Sequence, residues 1–322
     1  MTILSVFIVT YNSAALLPAC LDSLREQSIA NDVEVIVVDN ASRDNSAALV
    51  RSNYPEVKLI ASDSNLGFGN ANNKALELAQ GRYIVLLNPD ATLPPDTLER
   101  ALQHIEQTPD AGMGGGLLQG TKGEWQPSAR LFPSLLNDAL TISGLAYRYS
   151  DSRFFGRFDR SWADPKQAVT IDWVVGAFAI IRRDLIDKIG LFDPRFFLYY
   201  EEVDLCRRVY QAGFKVYYWP DLVITHVGGA SSETVDGVAF SSSGKQLTLW
   251  RMRSQLLYYR KWHGAFYSYL VKQLEQTWHK LRAWRNATRN SVKADESKRI
   301  VELWQQAWQD TEGGVRSPTQ PW

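Results

Sequence analysis

The chain has 322 residues with 35 basic and 35 acidic side chains, and 45% of its residues are hydrophobic, which is typical of a soluble globular protein. The longest apolar stretch, Trp173–Ile181, is too short to span a bilayer, and Cys20 and Cys206 match neither a disulfide framework nor a metal-binding spacing. We therefore expect a cytosolic protein without a signal peptide.

The first ninety residues alternate between strand and helix patterns. This β-α-β order predicts an α/β fold with a mostly parallel sheet flanked by helices. The predicted elements are a strand over Leu4–Thr10, a helix over Ala14–Gln27, a strand over Val33–Val38, a helix over Ala47–Ser52, a strand over Val57–Ile60, a helix over Phe68–Gln80 and a strand over Ile84–Leu87.

Beyond residue 90 the pattern predicts less regular structure and then a helical extension. We expect a catalytic domain over residues 1–244 and a helical region over 245–322. The predicted features are a helix over Pro94–Gln107, a loose glycine cluster at Gly112–Gly116, a turn-rich binding loop or lid over 119–168, helices over Arg183–Ile189 and Glu202–Ala212, strands over Phe214–Trp219 and Leu222–His226, and a mostly helical segment over Gln246–Trp284 that is interrupted near Gly264.

One carboxylate follows the buried strand Ile84–Leu87, in the sequence Asn88-Pro89-Asp90. Pro89 fixes its own φ and cannot donate to a ladder, so Asp90 lies on a defined turn. Ligands of open α/β sheets collect at the carboxyl ends of the strands, where an acid can hold a divalent cation against a substrate phosphate. The alternative is an ordinary turn aspartate that caps the next helix.

Three further strand ends carry polar residues. Four such ends in succession indicate a nucleotide pocket, in which a carboxylate accepts from a base imide N–H, although four ordinary turns would give the same pattern. No G-x-G-x-x-G follows the first strand, which argues against a dinucleotide-binding oxidoreductase. The three polar ends are Thr10-Tyr11-Asn12, Asp39-Asn40 and Ser62-Asp63 with Asn65.

The four residues that directly follow the aromatic run Phe196–Tyr200 contain three acids, Glu201, Glu202 and Asp204. Aromatic surroundings raise the pKa of a carboxyl group, which suits a general base. The alternative is the charged first turn of a helix, which the helix dipole favours.

His226 ends a predicted strand and is followed by glycines that allow close approach of a ligand. A neutral imidazole can complete the coordination of Mn²⁺ or Mg²⁺. A lone histidine of this kind can equally be an ordinary core residue.

Taken together, these motifs resemble the inverting family 2 glycosyltransferases, especially their bacterial rhamnosyltransferase-like branch. The resemblance covers roughly residues 3–260, and its segments come in the order of the family. The matching segments are Val6–Asn12, Val35–Ser42, Asn65–Asn73, Leu86–Ala91, Trp173–Gly176, Phe192–Arg207 and Thr225–Ser231.

The resemblance implies a nucleotide-sugar-binding domain of the glycosyltransferase A type and assigns roles to its residues. It implies that Glu202 is the base, although the chain has Glu-Glu where the family has Glu-Asp, so Glu201 or Asp204 could carry the proton instead. Asn88 and Asp90 would replace the usual D-x-D motif, which leaves one carboxylate for Mg²⁺ or Mn²⁺, with His226 as a second metal ligand. The residues implied to bind the nucleotide-sugar are Thr10, Tyr11, Asn12, Asp39, Asn65, Asn73, Asn88 and Trp173.

The implied reaction is transfer of a sugar, L-rhamnose from dTDP-rhamnose in this branch, to a polyprenyl-diphosphate-linked saccharide during synthesis of a surface polysaccharide such as O antigen. A UDP-hexose-dependent transferase is the first alternative. A catalytically inactive module that binds a sugar nucleotide or lipid is the second.

The charge of the chain is unevenly distributed. Residues 245–290 hold ten basic residues and one acid, Glu275, and seven of the eleven Trp residues lie from Trp250 onward. Helices with interleaved Trp and Lys or Arg bind anionic membrane surfaces. We therefore expect peripheral attachment to the inner face of the plasma membrane and no nucleic-acid partner, the alternative being helices packed on the catalytic domain.

Overall fold

The computed structural model describes residues 2–228 and 240–318, and its chain forms two compact units. Each unit draws on separate stretches of the chain. The described residues of 1–131, 164–194 and 201–237 form the first unit, and those of 132–163, 195–200 and 238–322 form the second. The predicted boundary after residue 244 therefore differs from the grouping of the chain into compact units.

The elements are numbered in chain order. Those before residue 131 are β1 (Leu4–Thr10), α1 (Leu17–Arg25), β2 (Val33–Asp39), α2 (Ser46–Asn53), β3 (Lys58–Ala61), α3 (Gly67–Leu76), β4 (Tyr83–Leu87), β5 (Ala91–Thr92), α4 (Thr97–Gln107), β6 (Ala111–Gln119), β7 (Trp125–Gln126) and β8 (Ala129–Arg130). Those that follow are α5 (Leu135–Ile142), α6 (Leu145–Arg148), β9 (Val169–Ile171), β10 (Trp173–Val174), β11 (Phe178–Arg182), α7 (Arg183–Ile189), α8 (Glu201–Gln211), β12 (Lys215–His226), α9 (Phe240–Asn286) and α10 (Ser291–Asp310).

A mixed sheet forms the centre of the first unit, in the strand order β3-β2-β1-β4-β11-β6-β12-β5. Strands β3, β2, β1 and β4 are parallel to one another, whereas β11 runs antiparallel between β4 and β6. Strand β12 is parallel to β6 and antiparallel to β5. The predicted α/β architecture is confirmed, and the parallel half of the sheet contains all of the strands predicted in the first ninety residues.

The apolar runs of the first strands are continuous because both faces of the sheet are covered. Leu4, Val6 and Ile8 of β1 share one core with residues of α1 and α4, among them Leu17 and Ile105. Phe7 points to the other face and is buried as well, on the side where α3 packs against β1 and β2. The carboxyl ends of these packed strands therefore lie at one edge of the sheet, and the polar residues of the strand ends begin there.

The glycine cluster at Gly112–Gly116 is not a loose segment, as the sequence predicted, but the centre of strand β6. The glycines are needed because neighbouring groups occupy the space of their side chains. A Cβ at Gly114 would collide with the ring of Trp219, and one at Gly116 with the backbone oxygen of Leu222. The two strands predicted over 214–226 are likewise one strand, β12, whose register is irregular between Trp219 and Val223.

The second unit is helical. Helix α9 is interrupted at Gly264, as predicted, where φ is +86°. Helix α10 lies within the region 245–322 that was predicted to be helical, although its own bounds were not predicted. The two helices are joined by an ion pair between Arg253 and Asp310, with 2.9 Å between Nε and Oδ2. Helix α5 meets α9 through the Tyr259 hydroxyl, which donates to Asp138 Oδ2 at 2.7 Å. Among the helices of the described residues, none combines the length and apolar character needed to cross a membrane.

Candidate active site

Thr10 and Asp39 lie side by side at the carboxyl edge of the sheet, because they are register partners at the ends of β1 and β2. Both side chains are buried. Within the described residues, neither Thr10 Oγ1 nor Asp39 Oδ1 has a hydrogen-bond partner. Buried polar atoms without a partner carry a desolvation cost, which a bound polar ligand would remove.

The loops after β1 and β2 are joined by Asn12. Its backbone N–H donates to Ser42 Oγ at 3.0 Å, and its Oδ1 accepts from the Arg43 N–H at 2.8 Å. Asn12 has φ +51°, which Asn tolerates better than most residues. Asp39 Oδ2 accepts from the Ser42 N–H at 3.2 Å, so Ser42 contacts both strand ends and fixes the position of the Asp39 carboxylate. Tyr11, the neighbouring candidate, is half-buried.

Three residues predicted to contact the donor have side chains that hold the fold together. Asn65 Oδ1 accepts from Asn40 Nδ2 at 2.8 Å and from the Gly67 N–H at 2.9 Å. Asn73 uses both ends of its amide on the backbone of Phe192, with bonds of 2.9 and 3.0 Å. Trp173 is buried and donates through Nε1 to the Leu131 carbonyl at 2.8 Å. These three side chains are therefore engaged within the fold, and their contact with the donor stays a prediction.

Asn88, Asp90 and His226 meet where β5 pairs with the end of β12, because His226 is the register partner of Ala91. His226 Nε2 lies 3.4 Å from Asp90 Oδ1 and 3.3 Å from Asn88 Nδ2. The Gly228 N–H donates to Asp90 Oδ2 at 3.1 Å. The three predicted residues are therefore in one cluster. Residues 229–231 of the matching segment Thr225–Ser231 lie outside the described residues.

The Asp90 carboxyl group is buried, and burial by itself raises its pKa. When the imidazole of His226 is protonated, its hydrogen bond and charge, together with the N–H of Gly228, more than compensate, so the pKa lies below the ordinary aspartate value. Asp90 is therefore held as a carboxylate, the form that binds a cation.

This cluster fits a divalent cation as a two-ligand site. In the described ranges no group of three or more His, Cys, Asp and Glu side chains is arranged to hold a metal. Asp90 and His226 would supply two ligands, and diphosphate oxygens and water would have to supply the others, as is usual for Mg²⁺ at phosphate sites. Asp90 is the one carboxylate that the Asn-Pro-Asp sequence brings to this cluster.

Gln126, which was not predicted as a site residue, contacts His226 through both ends of its amide. Gln126 Nε2 donates to the His226 carbonyl at 3.0 Å, and Gln126 Oε1 lies 2.9 Å from His226 Nδ1. No sequence signal marks this residue, because it lies in the turn-rich segment and reaches β12 only through the fold.

The three acids of α8 occupy different environments. Asp204 is fully buried and forms an ion pair with Arg208, with 2.9 Å between Oδ2 and Nε, so it is not available to take a proton from a substrate. Glu201 is buried and Glu202 is half-buried. The chain reaches this helix through Tyr199 and Tyr200, which both have φ +69°, and such strain is concentrated at functional sites.

The carboxyl group of Glu202 lies in an environment that shifts its pKa. Burial raises the pKa of its carboxyl group above the ordinary value, although the positive charge of Arg130 and the backbone N–H of Gly176 favour the charged form. Within the described residues, Glu202 Oε2 has no hydrogen-bond partner. The motif Trp173–Gly176 thus contacts the acidic motif through Gly176, and one carboxylate oxygen is left to bind a substrate hydroxyl.

The family model for glycosyl transferase family 2 matches residues 5–190. This chain belongs to glycosyl transferase family 2. Strands β2 to β11, and all of β1 except Leu4, lie within the matched residues, whereas Glu202 and His226 follow them.

Known relatives agree with this membership. An N-acetylglucosaminyl-diphospho-decaprenol L-rhamnosyltransferase from Mycobacterium tuberculosis is 29% identical over 237 residues, which cover 70% of this chain and 76% of the relative.

Two solved structures share the fold. TarS residues 1–349 from S. aureus align with a TM-score of 0.51 and 16% identity over 95% of this chain and 92% of TarS. The mannosyltransferase PcManGT from Pyrobaculum calidifontis, in complex with GDP-Man and Mn²⁺, aligns with a TM-score of 0.52 and 19% identity over 96% of this chain and 74% of that protein. At these identities the likeness concerns the fold, which is of the glycosyltransferase A type.

Proposed function

We propose that this family 2 glycosyltransferase moves L-rhamnose from dTDP-rhamnose to a hydroxyl of a lipid-linked saccharide, with inversion at the anomeric carbon. The observation that carries the proposal is the pairing of a charged, buried Asp90 beside His226 with a Glu202 whose pKa is raised. Carboxyl groups whose pKa values are shifted in opposite directions suit different roles, here a charged Asp90 that stabilises charge and a Glu202 that accepts a proton. The identity of the sugar is supported by the name of the mycobacterial relative.

The nucleobase would bind at Thr10 and Asp39. Asp39 Oδ1 is a buried acceptor without a partner in the described part of the chain, and a pyrimidine imide N–H is a donor of matching chemistry. Thymine and uracil both carry this N–H, so a UDP-hexose-dependent transferase is supported by the same contact as the dTDP-rhamnose reading.

The diphosphate would lie at the Asp90 cluster. Asp90 and His226 would hold Mg²⁺ or Mn²⁺ there, and the bound ion would neutralise charge that develops on the leaving diphosphate. Gly228 fixes one Asp90 oxygen through its N–H, which leaves Oδ1 directed toward His226. The leaving group is therefore oriented by side chains that do not themselves react.

Glu202 would take the proton from the acceptor hydroxyl. As that proton leaves, the acceptor oxygen bonds to the anomeric carbon, and the bond from this carbon to the diphosphate oxygen breaks with its electron pair. One displacement inverts the configuration, so no covalent intermediate on the protein is required. Glu201 is the alternative base.

The acceptor side of the proposal is a polyprenyl-diphosphate-linked saccharide at an anionic membrane surface. Residues 277–294, where α9 ends and α10 begins, contain five basic residues and no acid. In the same stretch Trp284 is 80% exposed, Leu281 57% and Val292 68%. Exposed apolar side chains among Lys and Arg favour the interface of an anionic bilayer, which would place the protein on the cytoplasmic face of the membrane.

A donor panel tests the catalytic proposal. Thermal midpoints would be measured with dTDP-rhamnose, UDP-glucose and GDP-mannose, each with and without Mn²⁺, since only ligands that bind the folded protein raise the midpoint. Transfer of the best donor would then be assayed with a polyprenyl-diphosphate-linked acceptor. Binding without transfer would favour the alternative of an inactive sugar-nucleotide-binding module, and stabilisation by a UDP-hexose alone would replace dTDP-rhamnose as the donor.

Vesicle sedimentation tests the membrane partner. We expect binding to vesicles that contain phosphatidylglycerol and little binding to neutral vesicles, with a loss of binding in Trp284→Ala. Tyr147→Ala is the matched control, because Tyr147 is 92% exposed and lies on α6, away from residues 277–294 in the sequence. Equal binding to both vesicle types, or equal loss in both variants, would contradict the proposed surface.

A further inference from the structure

Gln126 is brought to His226 by a short hairpin of the first unit. Strand β7 folds back on β6, so that Gln126 is the register partner of Leu118. The turn between the strands is closed by a bond of 2.8 Å from the Gly120 N–H to the Glu124 carbonyl. Because β6 also pairs with β12, the hairpin carries the amide of Gln126 to the last residue of β12.

The two contacts of Gln126 determine which way its amide points. The His226 carbonyl can only accept, so the group 3.0 Å from it must be the Gln126 NH₂. The Gln126 oxygen then faces His226 Nδ1 at 2.9 Å. An amide oxygen can only accept, so Nδ1 must carry the ring proton.

This arrangement leaves the other ring nitrogen without a proton in the neutral imidazole. Nε2 then presents a lone pair on the side where Asp90 Oδ1 lies at 3.4 Å. Asn88 Nδ2, a donor, lies 3.3 Å from Nε2, which is the polarity that an accepting Nε2 requires. In the opposite tautomer, Nε2–H would point at Asp90 and no lone pair would face the cluster.

We propose that Gln126 is a positioning residue that holds His226 as the Nδ1–H tautomer and aims the Nε2 lone pair at the Asp90 side of the cluster. The proposed ligand is a divalent cation of the Mg²⁺ or Mn²⁺ class, and this part rests on the proposed function, whereas the tautomer does not. Residues that orient a metal-binding histidine through its second nitrogen typically change metal affinity by about 10- to 100-fold when they are replaced.

The same hairpin offers a matched control. Gln119, on β6, lies opposite Thr225 of β12, one position before His226, and its Nε2 lies 3.4 Å from Thr225 Oγ1. Gln119→Leu therefore removes a glutamine that makes the same kind of cross-strand contact but does not touch the imidazole. A loss that comes only from a loosened hairpin would be shared by Gln119→Leu and Gln126→Leu.

The tautomer is measured first, in the full chain without metal, by long-range ¹H–¹⁵N correlation at a pH at which the imidazole is neutral, with His226→Ala for assignment. We expect the Nδ1–H form in the wild type and in Gln119→Leu, and a mixed or Nε2–H form in Gln126→Leu. Gln126→Glu keeps an acceptor of the same length, so we expect it to restore the Nδ1–H form. A wild-type Nε2–H tautomer, or an unchanged tautomer in Gln126→Leu, would overturn the proposal.

Mn²⁺ binding to the same proteins is then measured by electron paramagnetic resonance. We expect Gln126→Leu to bind Mn²⁺ about 10- to 100-fold more weakly than the wild type, and Gln119→Leu to bind it as the wild type does. A wild type that binds no Mn²⁺, or a Gln126→Leu variant that binds it equally well, would overturn the link to the cation. Because neither measurement needs a sugar donor, failure of the transferase proposal would be seen separately, in the donor panel.

Discussion

Arg208 joins Asp204 to the end of the preceding helix. Its Nε donates to Asp204 Oδ2 at 2.9 Å within α8, and its two terminal nitrogens donate to the carbonyls of Ile189, Gly190 and Leu191 at 2.6 to 2.8 Å. One guanidinium thus satisfies the last carbonyl of α7, the carbonyls of the two residues that follow it, and a buried carboxylate. The helix that carries Glu202 is held in place by this contact.

The ion pair between Asp204 and Arg208 predicts that two Asp→Asn substitutions will differ greatly in their effect on the unfolding free energy. Asp204→Asn leaves the buried guanidinium contact without its counter-charge, so we expect a loss of about 3–5 kcal/mol of unfolding free energy. Asp187→Asn removes the partner of Arg183, an i,i+4 pair on α7 in which Asp187 is 58% exposed, and we expect a loss below about 1 kcal/mol. Urea denaturation measures both, and equal losses would mean that the buried pair adds no more stability than the exposed pair.

Replacing the proposed base should abolish transfer and spare binding. Glu202→Gln keeps the shape of the side chain but cannot take up a proton, so we expect kcat to fall by about 10²- to 10⁴-fold. The affinity for the donor nucleotide, measured by calorimetry, should be unchanged. Glu201→Gln is the control, and a fall of kcat in that variant alone would move the role of base to Glu201.

The carboxyl group of Glu202 also predicts how kcat depends on pH at the acid end of the range. The base must be deprotonated to act, so kcat falls as the pH is lowered through the pKa of Glu202. Because burial raises this pKa, the fall should begin at a higher pH than the ordinary glutamate value allows. A kcat that stays constant down to the range of an ordinary glutamate would contradict the assignment.

Replacing Asp39 should weaken nucleotide binding without lowering the stability of the protein. Asp39→Asn retains an oxygen that can accept from the Ser42 N–H but replaces the second oxygen by an NH₂ group, which cannot accept from a base imide. We expect dTDP and UDP to bind about 10-fold more weakly or worse, and the ligand-free protein to be no less stable than the wild type. Asp63→Asn, at an exposed neighbouring strand end, is the control, and calorimetry and thermal melting give the two readouts.

A buried carboxyl group makes the stability of the second unit depend on pH. Burial raises the pKa of Glu275 on α9 to about 8, and the nearby Asp138, whose own pKa burial raises to about 6, adds to the shift while Arg251 opposes it. His279 Nε2 lies 3.9 Å from Glu275, and burial lowers the pKa of that imidazole. The folded state therefore favours the protonated carboxyl groups.

The sign of the effect follows from this preference. The stabilisation from a protonated Glu275 is complete below its unfolded pKa and is lost as the pH rises through about 8. We expect the thermal midpoint of the wild type to fall between about pH 5 and pH 9, and that of Glu275→Gln to fall less. Glu302→Gln, at an exposed position on α10, should follow the wild type. Parallel curves for all three proteins would show that Glu275 does not titrate in this range.

The first half of the site was predictable because its information is local. Apolar runs that end in Asp39 and Asp90 mark strand ends, and parallel strands bring such ends to one edge. By contrast, Asn73 lies in a matching motif, yet its amide binds the backbone of Phe192, which is 119 positions away in the sequence. The partner of a side chain at that separation is set by the tertiary fold alone.

Other features were hidden for different physical reasons. The glycines of β6 look like a flexible segment in the sequence, because what requires them is the Trp219 ring and the Leu222 backbone on a distant strand. Eight of the twenty residues of helix α10 are hydrophobic, but only Ala294, Ser297, Trp304 and Ala307 are buried. The bounds of such a helix depend on packing against its neighbour, which the sequence alone does not show.

The interleaving of the two units bears on the order in which the protein can fold during synthesis. By the time residue 237 has left the ribosome, every segment of the first unit exists, whereas residues 132–163 and 195–200 belong to a unit whose largest segment begins at 238. Those two segments must wait for α9 and α10, with Leu140 and Phe196, both buried in the finished protein, exposed meanwhile. A nascent chain stalled before α9 is therefore expected to bind chaperones. A stop codon there would remove α9 and α10 and would also leave the two earlier segments of the second unit without their packing partners.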